Sequence, residues 1–131
     1  MGAAFERAVD VRWRDVDALG HVNHAVFLTY LEEGRDAFYQ QSLGADPSYV
    51  VVRLEVDLRA EVRYEDRRVR VRIEAERLGT TSLTTRETLL TSSGEVAAQA
   101  RVVTVRWDAD GRKPVPFTDA ERALLSGTMT G

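Results

Sequence analysis

Val9, Val11 and Trp13 alternate with polar neighbours, the two-residue period of a half-buried strand, and predict a first strand over residues 5–14. The period then changes. Phe27, Tyr30, Leu31 and Phe38 fall on one face of a helix with Gly34 between them, predicting one long helix over residues 24–41, ended by Gly44 and Pro47. Residues 49–64 return to alternation, with Val50, Val52, Leu54, Val56, Leu58, Ala60, Val62 and Tyr64 on one face and Arg53, Glu55, Asp57, Arg59, Glu61 and Arg63 on the other. That pattern predicts a single long half-buried strand. After Glu65-Asp66-Arg67, a third strand sets Val69, Val71, Ile73 and Ala75 against Arg68, Arg70, Arg72 and Glu74. A turn at Leu78-Gly79-Thr80-Thr81 leads to a fourth strand over residues 82–91, of weaker alternation through Leu83, Thr85 and Leu89. Ser92-Ser93-Gly94 turns the chain into a fifth strand from Glu95 to Trp107, where Val102-Val103-Thr104-Val105 implies burial on both faces. Thr118-Asp119-Ala120-Glu121 is a capping box that opens a short helix through Leu124 and Leu125, with Gly127 at its close.

The order is strand, long helix, four strands, short helix. Tight turns make the four consecutive strands antiparallel neighbours, and a five-stranded sheet offers one face for the helix to cover, so the fold class is α+β. With no internal repeat or linker, residues 1–131 read as one domain.

Composition narrows the function classes. A net charge of −3 argues against a dedicated nucleic-acid or membrane-surface binder. The absence of cysteine excludes thiol catalysis, disulfides and thiolate metal sites. Residues 1–7 lack the apolar core of a signal peptide and no long apolar run occurs, so a soluble, cytoplasmic protein is expected. All but one of the 18 basic residues are arginine, the exception being Lys113, and no functional inference follows from that bias.

Both histidines fall in one stretch, Arg14-Asp15-Val16-Asp17-Ala18-Leu19-Gly20-His21-Val22-Asn23-His24, directly before the helix. Asn23 or His24 begins the helix, and Asn is a good N-cap because its side-chain oxygen accepts an N–H of the first turn. The remaining N–H groups of that turn, with the helix dipole behind them, suit a carbonyl oxygen that gains negative charge. Asp17 precedes them across a loop containing Gly20. A carboxylate opposite such donors meets the requirement for acyl transfer.

Asp15-Val16-Asp17-Ala18-Leu19-Gly20-His21-Val22-Asn23, followed by a helix carrying Leu31-Glu32-Glu33-Gly34-Arg35, resembles the signature of the 4-hydroxybenzoyl-CoA thioesterase-like branch of the hotdog-fold acyl-thioesterases. The Tyr64-Glu65-Asp66, Leu78-Gly79-Thr80-Thr81-Ser82 and Gly94 turns and the Val115-Pro116 ending extend the resemblance over nearly the whole chain. It implies a sheet wrapped around one central helix, and an enzyme that cleaves a fatty-acyl or aromatic-acyl thioester to acid and thiol. Asp17 then corresponds to the catalytic carboxylate, and the His24 backbone N–H to the donor to the thioester oxygen, with Asn23 beside them. His21, Gly20, Tyr30, Thr81, Ser82, Arg112 and Lys113 make up the implied substrate-binding group. Coenzyme A enters as part of the substrate; no cofactor or metal is implied. A homodimer or homotetramer is expected, with sites at the subunit interface and the acyl chain between two helices. The sequence departs from the family at two places. Asn23 stands where some members carry an aromatic residue, and Thr80 and Thr81 are neutral where some carry basic residues for the coenzyme A nucleotide, leaving Arg112 and Lys113 as weaker replacements.

Each feature has a plainer reading. Asp17 before Gly20 is also a turn former, Asp15 reads as a loop hydrogen-bonding residue, and His21 as an organiser of the loop. His21 and His24 lack a third ligand at metal spacing. Phe27 and Tyr30 are core residues by default, and Glu32 or Glu33 is the second choice for the catalytic carboxylate. Arg68, Arg70 and Arg72 read as a cross-strand charge ladder with Glu55, Asp57 and Glu61. Two other functions stay open: an acyl carrier protein thioesterase, and a non-catalytic acyl-binding module on the same fold.

Overall fold

The computed structural model describes residues 4–44 and 48–129; Pro47 and the first three residues lie outside that range. The elements are β1 (Phe5–Asp10), α1 (His24–Leu43), β2 (Tyr49–Leu58), β3 (Arg68–Leu78), β4 (Ser82–Leu90), β5 (Val96–Asp108), β6 (Lys113–Pro114) and α2 (Asp119–Ser126). The strands form one antiparallel sheet in the order β1-β3-β4-β5-β2, with the two-residue β6 paired to the end of β5. It curls around α1 in the hotdog arrangement. Phe27, Tyr30, Leu31, Phe38 and Tyr39 bury one face of α1 against Val69, Val71, Ile73, Leu83 and Leu89 of the sheet. Gly44, at φ 74°, ends the helix in the left-handed region and donates its N–H to Gln40 O at 2.8 Å. Thr118 caps α2 in the expected reciprocal box with Glu121.

The four later strands are not successive neighbours. β2 pairs with β5, at the far edge of the sheet from β1, and residues 59–67 carry the chain across the sheet end to β3. The long strand therefore stops at Leu58. Its two faces are also mixed by a bulge at Val52, where Val51 opposes Thr104 and Arg53 opposes Val103. Val50 is thereby set on the opposite face from Leu54, Val56 and Leu58. The arginines of β3 face acids of β1: Arg68 meets Asp10 and Arg72 meets Glu6. The strand expected over residues 5–14 ends at Asp10, because Trp13–Asp15 form a 3₁₀ turn that throws Trp13 outward to 80% exposure.

Two polar clusters hold α1, one on the sheet and one on the segment before the hairpin. Arg35 donates from Nε and Nη2 to Glu87 at 2.8 and 2.9 Å, and Thr85 Oγ1 donates to the same carboxylate at 2.8 Å, all buried. Burial works against the Arg35 charge, but the Glu87 partner more than offsets it and holds the guanidinium protonated. At the other end, Tyr30 OH donates to Asp15 Oδ2 at 2.7 Å, and Arg12 N donates to the same oxygen at 2.9 Å. Burial pushes the Asp15 carboxyl up, yet these donors and the Arg12 charge together hold it below its ordinary 3.8.

Helix and sheet are in close contact at Gly34, where a Cβ would overlap the side chain of the buried Val71. Gly34→Ala is expected to destabilise the fold by about 1–3 kcal/mol in urea unfolding, despite the better helix propensity of alanine. Val71→Ala in the same chain should recover part of that loss. The acid limb of stability is a second test. A carboxyl held below its unfolded value adds stability above that value and loses it as the pH falls. Asp15, Asp66 and Glu121 are all held so, and stability should therefore drop as the pH falls through 4.5 and 3.8. Tyr30→Phe removes one donor from Asp15; it should cost about 1.5–3 kcal/mol at neutral pH and flatten the acid limb in the same assay.

Candidate active site

Residues 16–22 fold into a tight hairpin. Val16 bridges Val22, Asp17 N donates to His21 O at 2.9 Å, and Gly20 N donates to Asp17 O at 3.1 Å. Gly20 takes φ 85°, a conformation that disfavours a side chain, and so lets the chain reverse within four residues. The hairpin is anchored on both sides: Asn23 N donates to Asp15 O at 3.1 Å, and Val22 N donates to Val62 O at 2.7 Å.

The side chains follow from that backbone. Asp17 Oδ1 accepts the Leu19 N–H at 2.9 Å, and Oδ2 lies 3.5 Å from His21 Nε2. The carboxylate is half-buried, with 28% of its side chain exposed. The opposite nitrogen of the ring, His21 Nδ1, is 3.5 Å from Glu61 Oε1.

Asn23 is the N-cap of α1: its Oδ1 accepts Ala25 N at 2.9 Å, while its carbonyl accepts Val26 N at 2.9 Å. Among the described residues no group accepts from the His24 N–H, and His24 is exposed. The start of α1 thus presents an uncommitted donor, with the helix dipole behind it, directly after the hairpin that carries Asp17. Asp17, Gly20 and His21 thus share the hairpin, and Asn23 and His24 follow it directly at the helix start.

The other residues implied by the resemblance do not join them within one chain. Tyr30 is fully buried with its hydroxyl on Asp15, and so supports the hairpin from beneath. Thr81 and Ser82 lie at the turn between β3 and β4, and Ser82 is in register with Val105 near the end of β5. Arg112 and Lys113 follow that same strand end, exposed, with Lys113 opposite Asp108. The hairpin sits at the other end of β3, where Val11 N donates to Arg67 O. The 11 residues of β3 separate the two groups, about 35 Å at 3.3 Å per residue. Glu33 is committed to Arg12 at 2.8 Å, whereas Glu32 borders a trough between α1 and β2.

That trough and Glu61 are the features the residue pattern did not single out. Leu28, Thr29, Glu32, Arg35, Val51 and Leu54 line a space of about 230 Å³, open because α1 lies over β1, β3 and β4 and leaves most of β2 uncovered. Glu61 reaches His21 only because residues 59–63 cross the sheet end beside the hairpin, where His21 pairs with Arg63. Nothing in local periodicity marks such a crossing. Asp17 and Glu61 approach opposite nitrogens of one ring, so they do not converge on a single point, and no metal-binding cluster occurs among the described residues.

Comparison with known proteins gives a consistent answer. The family model of the thioesterase-like superfamily matches residues 11–125. An uncharacterised Bacillus subtilis protein, YsmA, is 30% identical over 95% of this chain and 87% of its own length. A predicted thioesterase from Bacillus stearothermophilus superposes with a TM-score of 0.88 at 29% identity, over 98% of both chains. A thioesterase from Thermus thermophilus, solved with coenzyme A and zinc, does so with a TM-score of 0.81 at 36% identity, over 92% of this chain and 95% of its own. The chain belongs to the thioesterase-like superfamily of hotdog-fold thioester hydrolases.

Proposed function

We propose that the protein hydrolyses an acyl-coenzyme A thioester, with Asp17 as the reacting carboxylate and the His24 N–H as the donor to the thioester oxygen. The observation that carries this reading is the uncommitted N–H at the exposed start of α1, next to a hairpin that holds a half-buried carboxylate. Asp17 takes a proton from water as the water oxygen bonds to the carbonyl carbon. Negative charge gathers on the carbonyl oxygen, and the His24 N–H meets it there. As the C–S bond breaks, the proton passes from Asp17 to the departing thiolate, leaving acid and thiol. Direct attack by the Asp17 carboxylate, followed by hydrolysis of the anhydride, uses the same atoms.

The site is completed by a second copy of the chain. β2 is an edge strand with apolar side chains in solvent, Val52 at 59% and Leu58 at 54% exposure. Such an edge is a template for another strand. Antiparallel pairing of β2 with its twofold mate sets Leu58 of one copy beside Tyr49 of the other. The partner's sheet end, the one that bears Thr81, Ser82, Arg112 and Lys113 in every copy, then comes round toward Asp17. The trough along Leu28, Val51 and Leu54 becomes enclosed and offers an apolar path for the acyl group. The coenzyme A held by the Thermus thermophilus thioesterase supports coenzyme A as the thiol. The neutral Thr80 and Thr81, whose carbonyls accept from Phe117 and Arg106, favour comparison with carrier-protein substrates.

Asp17→Asn should remain folded and lose nearly all thiol release from acetyl-, hexanoyl-, lauroyl-, palmitoyl- and benzoyl-coenzyme A, a loss on the order of 10³-fold or more for the substrate the native chain prefers. Unchanged turnover would remove Asp17 from the mechanism. Leu54→Arg should convert a dimer to monomers in sedimentation velocity and abolish hydrolysis together with assembly. A fully active monomer would separate the site from the β2 edge.

A further inference from the structure

His21 is held between two acids that face different nitrogens of its ring. Nε2 lies 3.5 Å from Asp17 Oδ2 and Nδ1 lies 3.5 Å from Glu61 Oε1. Backbone pairing puts all three in place. The Asp17 N–H bond to His21 O sets residues 17 and 21 side by side, while the His21–Arg63 bridge and the Val22 N–H bond to Val62 O lay residues 61–63 along the other side of the hairpin. The two carboxylates flank opposite edges of the ring at the same distance, so a rotation of the imidazole away from one must also leave the other. Arg63, bridged to His21 by its backbone, pairs its side chain with Glu65 at 3.4 Å.

We infer that Glu61 is a positioning residue for the reaction, acting on Asp17 through His21. The inference rests on the assignment of Asp17 as the reacting carboxylate. The terminal torsion of an aspartate is broad and nearly free. Asp17 Oδ1 is steadied by the Leu19 N–H, and Oδ2 is steadied by His21 only while the ring keeps its orientation. Glu61 supplies that orientation from the far nitrogen. Lone pairs on both Asp17 oxygens remain for water or the thioester. Removal of Glu61 lets the imidazole turn and the carboxylate swing, so a smaller share of bound complexes has the reacting atoms aligned. Binding of the acyl group and of the nucleotide is untouched. The effect therefore belongs in kcat and leaves KM unchanged.

The Glu61 side chain is 60% exposed and its contact with His21 is at the surface, so Glu61→Ala leaves thermal unfolding unchanged. Steady-state thiol release is measured with whichever of the five coenzyme A esters the native chain prefers. Glu61→Ala should lower kcat about tenfold with KM within about twofold, and Glu61→Gln, which keeps a polar oxygen of the same reach beside the ring, should restore most of it. In a His21→Asn background, Glu61→Ala should have no further effect, because its route to Asp17 is already cut. Full kcat in Glu61→Ala would overturn the inference, as would the same tenfold loss in the His21→Asn background. If Asp17→Asn is inactive while Glu61→Ala is fully active, the positioning role fails and the thioesterase mechanism stands. If Asp17→Asn is itself active, or the native chain cleaves none of the esters, both fail.

Discussion

A buried carboxylate must find donors or give up its charge, and Asp15 finds them on both sides of the gap between the hairpin and α1. Its side chain takes the Arg12 N–H from the strand side and the Tyr30 hydroxyl from the helix, and its carbonyl takes the Asn23 N–H at the helix cap. One residue thus ties the chain entering the hairpin to the chain leaving it and to the second turn of α1. The position of Asp17 relative to the helix start is a consequence of that tie. An apolar side chain at residue 15 would leave Tyr30 with a buried hydroxyl and no acceptor, and the penalty for that is larger than the worth of one added hydrogen bond.

The second fixed point lies beneath the helix. Arg35 and Glu87 form a bidentate pair in the core, and a buried ion pair gains little over well-packed apolar residues of the same volume. Its consequence here is geometric. Glu87 accepts from Arg35 and Thr85 at once, which fixes the register of α1 against β4, while Gly34 one residue earlier lets the helix settle against Val71. With the helix seated at Gly34 and Arg35 and tied at Tyr30, its N-terminus cannot slide along the sheet without breaking one set of contacts or the other. The donor at His24 is therefore preorganised, the condition under which a backbone N–H stabilises a developing charge most effectively.

How much of this was legible in the sequence depended on whether the information was local. The period through Phe27, Tyr30, Leu31 and Phe38 gave the helix and its buried face, and Asn23 and Thr118 marked both helix starts, because capping and amphipathicity act over a few residues. The motif around Asp17 and Gly20 was readable for the same reason. Strand order was not, since alternation in residues 49–64 is the same whether the strand pairs with its successor or with β5. The bulge at Val52 left no mark in an unbroken apolar run, yet it reassigns Val50 to the other face. Glu87 did carry a signal: it shares the inward parity of Leu83, Thr85 and Leu89, and a charge on that parity calls for a buried partner. The Glu61 contact with His21 follows from the crossing of residues 59–67, which only the tertiary fold reveals, whereas the distance of Thr81, Ser82, Arg112 and Lys113 from Asp17 follows from the length of β3.

That same crossing bears on the proposal that a second chain completes the site. To lay Val62 against the hairpin, the chain must leave β2 at the sheet edge, so β2 has a partner on one side only. The helix, held over β1, β3 and β4, cannot also cover β2, and Leu28, Val51 and Leu54 stay in solvent. An edge strand with apolar side chains is a liability unless it is charged, short or paired. β2 is ten residues long, and its charges, Arg53, Glu55 and Asp57, lie on the face away from the helix. The bulge at Val52 blunts only one end of the edge, which leaves the run from Leu54 to Leu58 open to the strand pairing proposed above. The Asp15 tie places the hairpin beside the helix start, while the path of residues 59–67 both braces that hairpin through Val62 and leaves β2 at the edge with the trough beside it.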